Sequence, residues 1–111
     1  MKLKSLSLAA LASTLMATTL SAQAQTEIMW WHSMTAFNNE WVNTLAKQFN
    51  ESQKTYKVTP IYKGSYDESM TAAIAAFRAG NAPHILQVFE VGTATMMASK
   101  GAIVPAGKVM A

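Results

Sequence analysis

Three short clusters in this sequence hold side chains able to do chemistry: Trp31-His32-Ser33, Tyr62-Lys63-Gly64-Ser65-Tyr66 and Glu90-Val91-Gly92. They include a carboxylate that accepts from hydroxyls, a phenol and a hydroxyl that can donate to anionic oxygens, and one ammonium. That set suits reversible capture of a small polar molecule. Catalysis fits it poorly: His32 and Ser33 are adjacent and cannot form a nucleophile and base side by side along a strand. There is no G-x-S-x-G, no H-E-x-x-H, no P-loop, no G-x-G-x-x-G and no cysteine. Two histidines 52 positions apart make no metal-ligand motif, so neither metal nor cofactor is expected.

Each residue also has a plainer role. Glu90 can be a charge favoured at a helix N-terminus, Tyr66 can cover a sheet edge, and Lys63 can be solvated. Trp31 can belong to the core, Ser33 or Thr35 can cap a helix, and Thr93 can cap another.

The elements that must position these clusters follow from periodicity. Ile28 to Trp31 is a short apolar, aromatic run that suits a buried first strand. Phe37, Trp41, Val42, Leu45 and Phe49 recur at helical spacing, which predicts an amphipathic helix over about Thr35 to Asn50. Tyr56 to Tyr62 reads as a second strand, at an edge because Pro60 cannot donate to a ladder. Ser65 and Glu68 form a capping box, so a helix starts after Ser65 and carries Met70, Ile74 and Phe77 on one side. Gly80 and Pro83 end it. His84 to Phe89 is predicted as a central third strand, and Thr93 to Lys100 as a third helix stopped by Gly101. The order β-α-β-α-β-α predicts a parallel α/β sheet whose carboxyl ends gather the three clusters on one rim.

The first 24 residues stand apart. Lys2 and Lys4, the apolar run Leu6 to Leu20, and Ala22-Gln23-Ala24 predict a signal peptide cleaved near Ala24, hence an exported product. Two of the nine basic residues lie there; the other seven nearly balance six acidic ones, with no cluster to serve nucleic acid or an anionic membrane. The remaining 87 of 111 residues, 25–111, are short for a doubly wound domain, so they are expected to be the amino-terminal part of a longer protein.

Trp31 to Met34 (WHSM), Tyr62 to Tyr66 (YKGSY) and Ala75 to Gly101 (AAFRAGNAPHILQVFEVGTATMMASKG) resemble the family 1 extracellular solute-binding proteins of ABC importers, which are related to maltose-binding protein. Within that family they are similar to the members that bind sn-glycerol 3-phosphate. The G-N-A-P element is shared broadly in the family, whereas the run through TATMMASKG is more specific; Trp30, Trp31 and Phe89 are departures from the pattern.

The resemblance implies a two-lobed type II periplasmic-binding-protein fold with ligand clamped between the lobes. It implies ligand contacts at Tyr66 and Glu90, with Lys63, Trp31 and Ser33 as weaker candidates, and an arginine for the phosphate beyond Ala111. The partners implied are glycerol 3-phosphate or a glycerophosphodiester, and an inner-membrane permease with its ATPase; the protein is expected to act as a monomer. A binder of another small polar solute such as a sugar, and an exported hydrolase with catalytic groups beyond Ala111, are the alternatives.

Overall fold

The computed structural model describes residues 24–111, so the expected signal peptide lies outside the described residues except for its last position. Seven elements follow: β1 (Thr26–His32), α1 (Ala36–Ser52), β2 (Tyr56–Tyr62), α2 (Tyr66–Arg78), β3 (Ile85–Leu86), α3 (Glu90–Ala98) and α4 (Ala106–Val109). The three strands form one parallel sheet in the order β2-β1-β3.

β1 is therefore the central strand, and the expectation of a central third strand is corrected. β1 and β2 pair over their whole lengths, from Thr26 opposite Tyr56 to His32 opposite Tyr62. β3 pairs only at Ile85 with Trp30 and Leu86 with Trp31. Its shortness has a local cause. Next to Pro83, the His84 side chain enters the ladder, its Nδ1 accepting from the Met29 N–H at 3.0 Å while the His84 N–H donates to the Met29 carbonyl at 3.1 Å. After Leu86, one further bond from the Gln87 N–H to the Trp31 carbonyl, 2.9 Å, closes the pairing.

β2 is an edge strand, as Pro60 predicted, and its outer side is sealed. In a parallel ladder the N–H and C=O groups of alternate residues point to the same neighbour. Thr55, at its start, and Lys63, just past its end, bond β1, so Tyr56, Val58 and Pro60 face outward. The Asn50 amide of α1 accepts from the Val58 N–H at 2.7 Å and donates to the Val58 carbonyl at 2.8 Å. Gln53 does the same for Tyr56, at 2.7 Å in each direction. Pro60 has no donor to leave unpaired, so its position costs no ladder bond.

The helices divide between the faces. The chain moves from β1 to β2, then crosses back over β1 to reach β3, and right-handed crossovers put α1 and α2 on opposite faces. α1 buries Val42 and Ala46, and α2 buries Ser69 and Ala73. α3 packs beside α2, with Gly92 so close to Met70 that an added Cβ would lie 3.1 Å from its sulfur.

Helix starts differ in how they are fixed. Thr35 is the residue before α1 but makes no side-chain cap. α3 begins at Glu90 rather than Thr93: Phe89 is extended, the Thr93 N–H donates to the Phe89 carbonyl at 3.2 Å, and the Thr93 hydroxyl, inside the first turn, does so at 3.3 Å. At α2 the capping box forms in full: the Ser65 Oγ accepts from the Glu68 N–H, and the Glu68 carboxylate accepts from the Ser65 N–H at 2.7 Å. The Ser65 backbone N–H holds the Glu68 carboxyl below its ordinary range. Gly64, at φ 84°, leaves room for that carboxylate, which an alanine Cβ would displace.

Ser65→Ala is expected to lower stability by about 1 kcal/mol, and Gly64→Ala by about 1–2 kcal/mol, because it adds left-handed strain and displaces the Glu68 carboxylate. Urea denaturation followed by circular dichroism measures both.

Candidate functional site

The carboxyl ends of the strands share one rim, as the parallel register requires. Trp31 and His32 are the last buried residues of β1, Ser33 follows half-buried, Lys63 is half-buried just past β2, Tyr66 is the half-buried first residue of α2, and Glu90 is the exposed first residue of α3. The chain crosses the sheet one way from β1 to β2 and the other way to β3, so the ends of β1 and β3 flank the switch point where open α/β sheets bind ligands.

Three side-chain links tie these ends together. Lys63 Nζ lies 4.0 Å from the centre of the Trp31 ring, which joins the end of β1 to the end of β2 by a cation–π contact. The Ser33 N–H donates to Gln87 Oε1 at 3.1 Å, joining the end of β1 to the segment after β3. The Tyr66 and Phe89 rings sit 5.4 Å apart, tilted by 44°, joining the starts of α2 and α3. Of the five candidate residues, Trp31 and Lys63 meet directly, Tyr66 reaches Glu90's neighbour, and Ser33 is held from Gln87.

Gln87 and Phe89 are the residues that sequence reasoning passed over as site components. Gln87 is the one polar side chain inside Ile85 to Phe89, and a polar residue interrupting an apolar strand run is a readable signal. It bonds β1 through its N–H to the Trp31 carbonyl and the loop just past β1 through its Oε1, which accepts from the Ser33 N–H.

His32 fixes the same loop from beneath. It is 1 % exposed, lies near the rings of Trp30 and Tyr62 at 6.2 and 6.1 Å, and its Nδ1 accepts from the Met34 N–H at 3.3 Å. Nδ1 is thereby unprotonated and Nε2 carries the hydrogen. Burial pushes the imidazole pKa below its ordinary value. The loop these contacts restrain leads to Ala36, whose φ of 47° is a left-handed conformation that costs an L-residue about 1–2 kcal/mol.

The rim also keeps polar atoms in reserve. Trp31 Nε1, Ser33 Oγ and Ser69 Oγ are buried and have no partner among the described residues. Buried groups of this kind are ordinarily paired, and an unpaired one costs about 1–3 kcal/mol. Among the described residues, no three His, Cys, Asp or Glu side chains gather as a metal site would require.

A three-stranded parallel sheet with flanking helices and a polar rim at its carboxyl ends is the build of part of a periplasmic-binding-protein lobe. The chain is 57 % identical over 89 residues to the sn-glycerol-3-phosphate-binding periplasmic protein UgpB of Rhizobium meliloti, and 60 % identical over 89 residues to that of Brucella abortus. The protein of the same name from Agrobacterium fabrum matches at 56 % over 92 residues. These matches cover 80–83 % of the chain, which spans about a fifth of the length of these curated relatives, 21 % in each case. No family model matches it.

Two outcomes test this geometry. The His32 pKa is lower folded than unfolded, so between the two values the unfolded state binds more protons and stability rises with pH. The His32 contribution is complete above about pH 6.5 and is lost as pH falls from there through the depressed folded value. Denaturation midpoints from pH 7.5 to 4.5 should show that loss, and His32→Gln should remove its part of the slope. Separately, Gln87→Ala should accelerate hydrogen exchange at the Ser33 amide roughly tenfold, the loss of about 1.4 kcal/mol of protection. Gln87→Glu, which keeps the acceptor, should restore it.

Proposed function

We propose that the chain supplies one wall of the ligand cleft of a periplasmic solute-binding component of an ABC importer, and that the solute is sn-glycerol 3-phosphate or a glycerophosphodiester. The observation that carries the reading is the linked rim at the β1–β3 switch point, in a sequence 56–60 % identical to proteins named for binding that solute. Capture is reversible and breaks no covalent bond. The protein is exported after cleavage near Ala24, acts as a monomer, and passes its ligand to an inner-membrane permease driven by its ATPase.

Roles follow from donor and acceptor chemistry. Glu90 accepts from the hydroxyls of a glycerol moiety; a carboxylate has no useful contact to offer a phosphate dianion. Tyr66 donates its phenolic hydrogen to a ligand oxygen, and its ring is steadied by Phe89. Ser33 Oγ and Trp31 Nε1 are buried donors without protein partners, and each meets a ligand oxygen only once its covering groups move aside. Lys63, held over Trp31, adds positive potential at the entrance.

Grafting tests this directly: the matched 89 residues of the Rhizobium meliloti relative are replaced by the aligned residues of this chain, and glycerol 3-phosphate is titrated calorimetrically. Saturable binding is expected. Glu90→Ala in the graft should weaken it at least about tenfold, as loss of a charged hydrogen bond does, with the melting temperature of the unliganded protein nearly unchanged. A folded graft that binds maltose and neither glycerol 3-phosphate nor glycerophosphocholine overturns the assignment, as does release of alcohol from glycerophosphocholine by turnover.

A further inference from the structure

The amino terminus that export creates has chemistry of its own. Cleavage after Ala24 makes Gln25 the first residue, so that one residue carries both a free α-amine and a side-chain carboxamide. The α-nitrogen of a terminal glutamine reaches its own Cδ, because the two close an unstrained γ-lactam ring. Asparagine, one methylene shorter, closes no such ring.

The structure leaves Gln25 free to react. It is exposed and stands one residue ahead of β1, where the Thr26 N–H donates to the Thr55 carbonyl at 2.9 Å. Its side chain makes one hydrogen bond among the described residues, from Nε2 to the Tyr56 carbonyl at 3.4 Å. That is longer than an ordinary N–H···O bond. The same carbonyl accepts from Gln53 Nε2 at 2.7 Å, so releasing Gln25 Nε2 leaves no acceptor unpaired.

The surroundings favour the reactive form of the amine. Ala24, Thr26, Lys54 and Thr55 line one hollow at the start of β1, so removal of Ala24 frees the amine into a space that Lys54 borders. Lys54 has no ion pair among the described residues. Two cations in one hollow repel, which disfavours the ammonium form. The neutral amine that remains is the nucleophile.

We propose that Gln25 is a modification site, cyclising to pyroglutamate once the chain is cleaved after Ala24. The step rests on the reading that export removes residues 1–24. The neutral α-nitrogen attacks Cδ and forms the new N–Cδ bond. The Cδ–Nε2 bond breaks, and Nε2 leaves as ammonia with the proton that the amine gives up. No oxidant, reductant or other reactant takes part. The product has lost a positive charge beside Lys54 and offers no free amine to an aminopeptidase, at a terminus where proteolysis ordinarily concentrates. The sheet is untouched, since the Thr26 N–H and its bond to Thr55 play no part.

The test expresses the whole 111-residue chain, leader included, in a bacterial host with a periplasm, and analyses the released product by intact mass. The expected product begins at residue 25 and is lighter than the unmodified chain by one ammonia. It resists stepwise degradation from its amino end until pyroglutamyl peptidase removes the ring and exposes Thr26. Gln25→Asn, which keeps a carboxamide but cannot close the ring, should retain the full mass of its own sequence. It should also degrade stepwise from its first residue and migrate as the more positive species in native electrophoresis. A product that begins at Gln25 with its full mass and a free amine overturns the inference and leaves the cleavage reading standing. A product that begins at any other residue, or keeps its leader, overturns both.

Discussion

The parallel pairing of β1 with both neighbours is the constraint from which the site derives. Side chains alternate along a strand, so a slip of one residue between β1 and β2 would turn one of Trp31 and Lys63 to the other face and break their contact. The register that places His32 opposite Tyr62 also sets the Lys63 N–H to donate to the His32 carbonyl at 2.9 Å, which fixes the depth at which Lys63 leaves the sheet. On the other side, pairing of Trp31 with Leu86 brings Gln87 level with His32, from where its side chain reaches the Ser33 N–H, and three residues on α3 starts at Glu90. Nothing local to the rim could supply this alignment. The loops are short and take their placement from the ladder.

Much of the fold was legible because local chemistry and tertiary structure agreed. The Ser65–Glu68 box and the left-handed glycines at positions 64, 80 and 101 are determined by neighbours in sequence, and α2 begins where the box requires. The bounds of β2 were readable from its alternation, and its edge position from Pro60. β3 was not, because apolar composition alone cannot tell a strand buried in mid-sheet from a segment that merely skirts an edge. Whether His84 to Phe89 pairs for two residues or six depends on what lies on either side, and the His84 ring substituting in the ladder is a tertiary event. The start of α3 failed for a related reason: Thr93 has the chemistry of a cap, yet the extended Phe89, anchored against Tyr66, begins the helix a turn earlier.

The candidate site was readable as residue types and unreadable as a network. Trp31, Ser33, Lys63, Tyr66 and Glu90 all emerge at one sheet end, which the β-α-β order alone implied. The connectors that hold them, Gln87 and Phe89, carry no recognisable motif, since an amide inside an apolar run and an aromatic before a helix are each common. Their meaning comes from partners 54 and 23 positions away in sequence.

The distribution of satisfied and unsatisfied polar groups separates scaffold from surface. At the edge of β2 every outward backbone group of Tyr56 and Val58 is paired by a side chain, Asn50 of α1 or Gln53 just past its end, and at the root of the rim the Ser33 and Met34 amides are each paired as well. The backbone is thereby fixed to within hydrogen-bonding tolerance. Trp31 Nε1 and Ser33 Oγ stand in that rigid frame without protein partners. A misfolded rim would be expected to leave amides unpaired, because the backbone carries most of the hydrogen-bonding groups. Here the Ser33 and Met34 amides are satisfied and the two buried side-chain donors beside them are not. Each buried donor left unpaired costs about 1–3 kcal/mol, and the rim carries that cost in a backbone that neighbouring bonds have already ordered.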